Sequence, residues 1–194
     1  MTVIDERAPR GGQLLDAASL PSTLRRLAHE LIERHPGLDG VVLAAVRRGG
    51  VPVARALREI LADLGVREPP LGELDVGEYR DDRPRPAARP RHAWTGAPAP
   101  EIDGAVVVLV DDVVHTGRTL RAALDALADQ GRPAAVEPLV LIDRGQRELP
   151  LRATYVGKNI PASAGDWVVV RMRWDQPPGA WLVPRDAADH KAAR

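Results

Sequence analysis

The chain has 194 residues, 44% of them hydrophobic, and its 27 Lys+Arg balance 27 Asp+Glu for a formal charge of zero. With no cysteine, disulfides, thiol nucleophiles and cysteine-ligated zinc are excluded. Neutrality argues against coating nucleic acid or membranes by bulk attraction, so any polyanion must be met by a local basic face. The length suits one domain with decorated ends, whose core needs no metal or disulfide support. The apolar runs Val41–Val46 and Val106–Val110 are far shorter than the roughly 20 residues of a membrane span, and the N-terminus lacks a basic-then-apolar signal pattern. A cytoplasmic protein with no membrane partner is expected.

Residues 1–18 carry Pro9, Gly11 and Gly12 without a sustained period and read as a flexible leader. Leu20, Leu24, Leu27 and Leu31 then fall on one face of a helix that stops near Pro36 and Gly37. Val41–Val46 reads as a strand, and Ala54, Leu57, Leu61 and Leu64 return to helical spacing before Gly65. Glu73–Tyr79 reads as a strand. Prolines 84, 86, 90, 98 and 100 then mark a mobile loop over about 80–101. Ala105–Val110 is a strong strand, Leu120 to Ala128 a helix closed by Gly131 and Pro133, and Ala135–Ile142 a further strand. Val168–Met172 is the last strand, and 175–194 an irregular tail. Strands alternating with helices imply parallel crossovers, hence an α/β domain over 19–174 with an open sheet and helices on its faces.

The chemistry concentrates in the string from Val106 through Asp111, Asp112 and His115-Thr116-Gly117-Arg118-Thr119. An apolar strand delivers two carboxylates to the carboxyl edge of the sheet, where open α/β folds bind ligands. Adjacent carboxylates can accept hydrogen bonds from a ribose diol or hold a divalent cation. The loop offers backbone N–H groups, the Thr116 and Thr119 hydroxyls and a helix N-terminus, all favourable to phosphate. Gly117 permits a backbone conformation or approach that a side chain would block. Neither G-x-x-x-x-G-K-[ST] nor G-x-G-x-x-G is present, which weakens nucleotide hydrolysis and dinucleotide binding.

Apolar strand, Asp-Asp, then Thr-Gly-x-Thr resembles the phosphoribosyl pyrophosphate motif of the type I phosphoribosyltransferases. Leu141 to Pro150, Tyr155 to Pro161 and Tyr79-Arg80-Asp81-Asp82 narrow the likeness to the pyrimidine operon regulators that are also uracil phosphoribosyltransferases. It runs from about Leu20 to Met172. The resemblance implies a type I fold, mostly parallel, with a small hood and a flexible loop. It implies conversion of uracil and phosphoribosyl pyrophosphate to UMP and pyrophosphate, with Mg²⁺ arriving mainly on the substrate. Asp111 and Asp112 would meet the ribose hydroxyls, His115 to Thr119 the 5-phosphate, Arg80 the pyrophosphate, and Val156, Lys158 and Ile160 the base from the hood. Arg47-Arg48-Gly49-Gly50 would be the pyrophosphate loop, with Gly49 where the family usually has arginine. On that reading an arginine restored at 49 should raise turnover, unless it fails sterically.

The resemblance also implies UMP-dependent binding of an operon leader RNA through Arg26, Arg34, Arg147, Arg152 and Lys158, in a homodimer or homotetramer. Dispersed arginines on a helix are more often a solvated face paired with glutamates such as Glu30 and Glu33. Two alternatives stand beside this reading. One is a non-catalytic UMP-sensing RNA binder with a degenerate pyrophosphate loop. The other is a purine salvage transferase, against which the strings at 143–150 and 157–161 argue.

Overall fold

The computed structural model describes residues 12–81, 93–96, 98–161, 165–172 and 177–184. In chain order these form β1 (Gly12–Leu15), α1 (Ser19–Arg34), β2 (Val41–Val46), α2 (Gly50–Asp63), β3 (Leu71–Leu74) and β4 (Trp94–Thr95). There follow β5 (Val106–Val114), α3 (Arg118–Ala128), β6 (Ala135–Asp143), β7 (Tyr155–Asn159), β8 (Trp167–Arg171) and β9 (Gly179–Val183). The two apolar runs become the central strands of a six-stranded sheet, β4-β3-β2-β5-β6-β7, parallel throughout except for the β3–β4 pair. All six residues of β2 are buried. Val41, Leu43 and Ala45 pack with α1 and α2, whereas Val42, Ala44 and Val46 pack with α3. Burial on both faces is why such a strand reads as a continuous apolar run.

The helices form on the expected faces. Leu20, Leu24, Leu27, Ala28 and Leu31 of α1 are buried, and Asp16 closes its N-terminus by accepting from the N–H groups of Ala18 and Ser19 at 3.1 and 2.7 Å. Leu27 and Leu31 are fully enclosed, so truncating either to alanine would cost about 2–5 kcal/mol.

A second sheet, β1-β9-β8, is antiparallel and covers part of the main sheet. Its Leu14, Leu15, Val168, Val170, Ala180 and Leu182 join the core under α1 and α2. It draws β1 from the stretch expected to be a loose leader and β9 from the expected tail, Gly12 facing Leu182. Such short strands are stabilised by cross-strand partners far away in sequence, which local composition does not report. Val156–Ile160, expected in the hood, instead forms β7 and the turn after it, on the edge of the main sheet. The strand expected at Glu73–Tyr79 begins earlier, at Leu71, and gives way to a 3-10 turn at Gly77–Tyr79. Most of the loop expected at 80–101 lies outside the described residues, but Trp94 and Thr95 within it pair with Leu74 and Glu73.

Candidate active site

The site is built where β2 and β5 part. They pair as far as Ala45 and Val110, after which Arg47 donates its N–H to the Leu74 carbonyl at 2.9 Å and the chain turns into α2. The peptide bond between Arg47 and Arg48 is cis. Gly50, first residue of α2, rests on β5: a Cβ there would overlap the Val110 carbonyl oxygen and lie 3.1 Å from the Asp111 Cα. Gly49 is equally close to the next residue, its missing Cβ falling within the space of the Asp112 carboxylate. Neither glycine has positive φ, so approach and not backbone conformation requires them. The Gly-Gly pair at a strand-to-helix turn was the available signal for the close approach of Gly50 to β5, which the sequence reading, placing Gly50 only within the loop, did not draw.

Asp111 and Asp112 do not end their strand, since β5 continues to Val114 alongside β6. What ends at Val110 is pairing with β2, which frees that flank of β5 for the turn at 47–50. Asp111 is buried, and its Oδ1 accepts the Asp112 N–H at 3.0 Å. Asp112 Oδ1 accepts the Val113 N–H at 2.8 Å. Burial pushes the Asp111 carboxyl well above the usual carboxylate range, the neighbouring Asp112 charge adds to this, and the Arg80 guanidinium opposes it. Burial raises Asp112 as well.

The loop 115–119 follows at once. Gly117 has φ +91° and caps α3, and a Cβ there would press on Leu149 at 3.4 Å. Thr116 Oγ1 accepts the Arg118 N–H at 3.4 Å. The loop is backed by segment 145–149: Glu148 and Leu149 donate their N–H groups to the Thr116 carbonyl, each at 3.0 Å. His115 Nε2 donates to Gln146 Oε1 at 3.3 Å, and burial with the Arg144 charge holds this imidazole below its ordinary pKa, hence neutral at pH 7. Arg118 is split between Asp81 and Glu148, each at 2.7 Å. Arg80, expected at pyrophosphate, donates to Thr119 Oγ1 at 3.2 Å and so stands at the loop 115–119, within electrostatic reach of Asp111.

Arg47 is 3.9 Å from Glu73, whereas Arg48 is exposed and unpaired among the described residues. Val156 and Ile160 line a cavity of about 540 Å³ with Asp143, Arg147 and Arg152. Lys158 is turned away to the second sheet, its Nζ donating to the Leu14 carbonyl at 2.7 Å. A larger cavity of about 720 Å³ lies between α2 and the β3–β4 edge, and neither aspartate lines it.

The five basic residues expected to meet RNA divide. Arg26 and Arg34 lie on α1, which packs on β7, and Lys158 lies on β7 itself. Arg152 precedes β7, exposed and unpaired among the described residues. Arg147 is an interior brace: its guanidinium donates to Asp143 at 2.5 Å and to the carbonyls of His115, Gly145 and Leu151 at 2.6, 3.2 and 2.9 Å. With its side chain only 17% exposed and each guanidinium nitrogen committed, it is not placed to grip a phosphate. Sequence alone cannot separate such a brace from a surface arginine.

Among the described residues no cluster of three or more metal-binding side chains occurs, and no helix is long and apolar enough to cross a membrane. Residues 11–177 match the phosphoribosyl transferase domain family. The chain is 50% identical over 161 residues to "Bifunctional protein PyrR" of Chloroflexus aurantiacus, covering 83% of this chain and 88% of that protein. It is 49% identical to the protein of that name from Streptomyces coelicolor, with 82% of each covered. Among solved structures, a hypoxanthine phosphoribosyltransferase from Staphylococcus aureus superposes with a TM-score of 0.70 at 17% identity, covering 97% of this chain and all of that one. The Trypanosoma cruzi hypoxanthine enzyme does so at 0.68 and 21%, covering 89% and 96%. At those identities the likeness shows the type I fold alone. The sequence relationship is closer, and by it the chain belongs to the PyrR family of bifunctional proteins, within the phosphoribosyl transferase domain family.

Proposed function

We infer that this chain transfers the phosphoribosyl group from phosphoribosyl pyrophosphate to uracil, giving UMP and pyrophosphate, and that it also regulates the pyrimidine operon through its leader RNA. The observation that carries the first half is the adjacent pair of buried Asp111 and part-buried Asp112, between the tight turn at Gly49-Gly50 and the loop at 115–119. Bond breaking at the anomeric carbon makes the sugar cationic before the base nitrogen arrives, so what the protein must supply is position and compensating charge. Asp111 and Asp112 accept hydrogen bonds from the ribose hydroxyls and set their carboxyl oxygens beside the developing cation. The N–H groups of 115–119, with the Thr116 and Thr119 hydroxyls, hold the 5-phosphate at the start of α3. Arg80, beside Thr119, offsets phosphate charge on that side, and Arg48, unpaired among the described residues, offers a cation at the pyrophosphate turn. Val156 and Ile160 offer apolar contact to the base.

The donor set fits a divalent cation carried by substrate: two adjacent carboxylates offer oxygen ligands of the kind a hard ion takes, the rest coming from phosphates and water. Asp111 and Asp112 would hold such a Mg²⁺, and bound there it supplies charge neutralisation to the leaving pyrophosphate. Pyrophosphate release measured with uracil, hypoxanthine and orotate tests the assignment. Release with uracil alone is expected, and release with hypoxanthine alone would transfer the chain to purine salvage.

The regulatory half rests on the family relationship and on the basic groups brought to the α1–β7 edge. Filter binding of leader and scrambled RNA, with and without UMP, at two salt concentrations tests it. Leader-specific, UMP-enhanced and salt-sensitive binding is expected.

A further inference from the structure

Glu137 is a buried carboxylate with no part in the transfer site. It lies near the start of β6, six residues before Asp143, or about 20 Å along the strand from the edge where the substrate groups gather. Three side chains converge on it. Arg34 Nε donates to Oε1 at 2.8 Å, the Tyr155 hydroxyl donates to Oε2 at 2.6 Å, and His35 Nε2 stands 2.8 Å from Oε2. Burial opposes ionisation, yet the hydrogen bonds from His35, Tyr155 and Arg34 outweigh it and hold the carboxyl down to about 2.

The bond to Arg34 is made through Nε alone. The terminal amino groups, which form the fork that grips phosphate, make no bond among the described residues, and the side chain is 56% exposed. The other arginines of this edge differ. Arg26 spends one terminal amino group on Glu30 and the other on the Val156 and Gly157 carbonyls. Arg152 has neither an anchor nor any other bond among the described residues. Arg34 alone among these three is both anchored and open.

We propose that Glu137, itself fixed by Tyr155 and His35, is a positioning residue that holds the Arg34 guanidinium by Nε so that its terminal fork faces a phosphate of the leader RNA. The inference rests on the RNA-binding reading above. Holding the fork in advance removes the ordering cost that a free arginine pays on binding.

The test exploits an opposition of sign. If Glu137 acted through charge alone, Glu137→Gln would remove a negative charge beside a polyanion and tighten the complex. If it positions Arg34, the same change weakens leader RNA by roughly 2- to 10-fold, and Arg34→Lys, which keeps the charge but lacks Nε, weakens it comparably. In an Arg34→Ala background Glu137→Gln should add nothing, a result that general loosening of the fold would not produce. Uracil turnover should be unchanged in both variants. Should Glu137→Gln fold poorly, Tyr155→Phe removes one anchor while leaving the ion pair, and a smaller loss of RNA affinity is expected. Tighter or equal RNA binding by Glu137→Gln, or by Tyr155→Phe if that variant must be used, while Arg34→Ala weakens it, overturns the positioning role. Wild-type protein that does not distinguish leader from scrambled RNA would instead remove the RNA reading on which it rests.

Discussion

Gly49 stands where the family resemblance leads one to expect a cation, and the structure reverses the expected result of restoring one. Its backbone angles, φ −66° and ψ −36°, suit any residue, so the cost of a side chain is one of space. A single Cβ would occupy the position of the Asp112 carboxylate, which must then rotate and surrender the 2.8 Å bond it accepts from the Val113 N–H. A hydrogen bond to a charged group is worth roughly 1.5–3 kcal/mol, equivalent to roughly 10- to 150-fold in affinity when that carboxylate is needed to receive the ribose. Gly49→Ala should therefore raise the KM for phosphoribosyl pyrophosphate by about that factor, with little change in Tm, because the displaced group lies at the site and not in the core. Gly49→Arg should be no better, since its stem needs the same space. Initial rates of pyrophosphate release over a range of substrate concentrations, with a melting curve for each variant, make the measurement. Wild-type kinetics in Gly49→Ala, or a faster Gly49→Arg, would refute the steric argument and return the position to its role as a missing cation.

Asp111→Asn with Asp112→Asn should abolish turnover in a folded protein, read as loss of pyrophosphate release with an intact melting transition; unchanged kinetics would remove both residues from the site. Arg147→Ala should impair uracil turnover as well as RNA binding, because it unties the brace joining Asp143, His115 and Leu151; loss of RNA binding with normal turnover would make Arg147 a direct RNA contact after all. The Glu137 carboxyl is lowered from its ordinary 4.5 to about 2 on folding, so it contributes stability that is complete above about pH 4.5 and fades as pH falls toward 2. The linked free energy is at most about 3 kcal/mol, and urea titrations from pH 7 to pH 3 should show a smaller decline in Glu137→Gln than in wild type. Equal declines would show that this group does not govern the acid limb.

Sequence alone determined the elements whose cause is local. A strand buried on both faces must be apolar throughout, and a helix with one buried face must repeat at helical spacing, so β2, β5 and the three helices were legible in Val41–Val46, Val106–Val110 and the leucine stripes. The grouping of Asp111, Asp112 and Thr116 to Thr119, the last four proposed above to hold phosphate, was legible for the same reason: they lie close together in sequence, on the end of β5 and the turn from it into α3. Tertiary structure decided everything that joins distant residues. The second sheet pairs Gly12 with Leu182 across nearly the whole chain, and neither end carries a pattern strong enough to announce it. Contact between Gly49 and Asp112 turns an apparent deficiency into a requirement for glycine, and Arg80 meets Thr119 only because the turn after β3 passes the start of α3. Arg34 and Arg147 look alike as letters, yet one meets a buried carboxylate through a single nitrogen and the other commits each nitrogen of its guanidinium to the interior. Hydrogen-bond partners supplied by chain folded from elsewhere, not residue type, decide which arginine is left to face a phosphate.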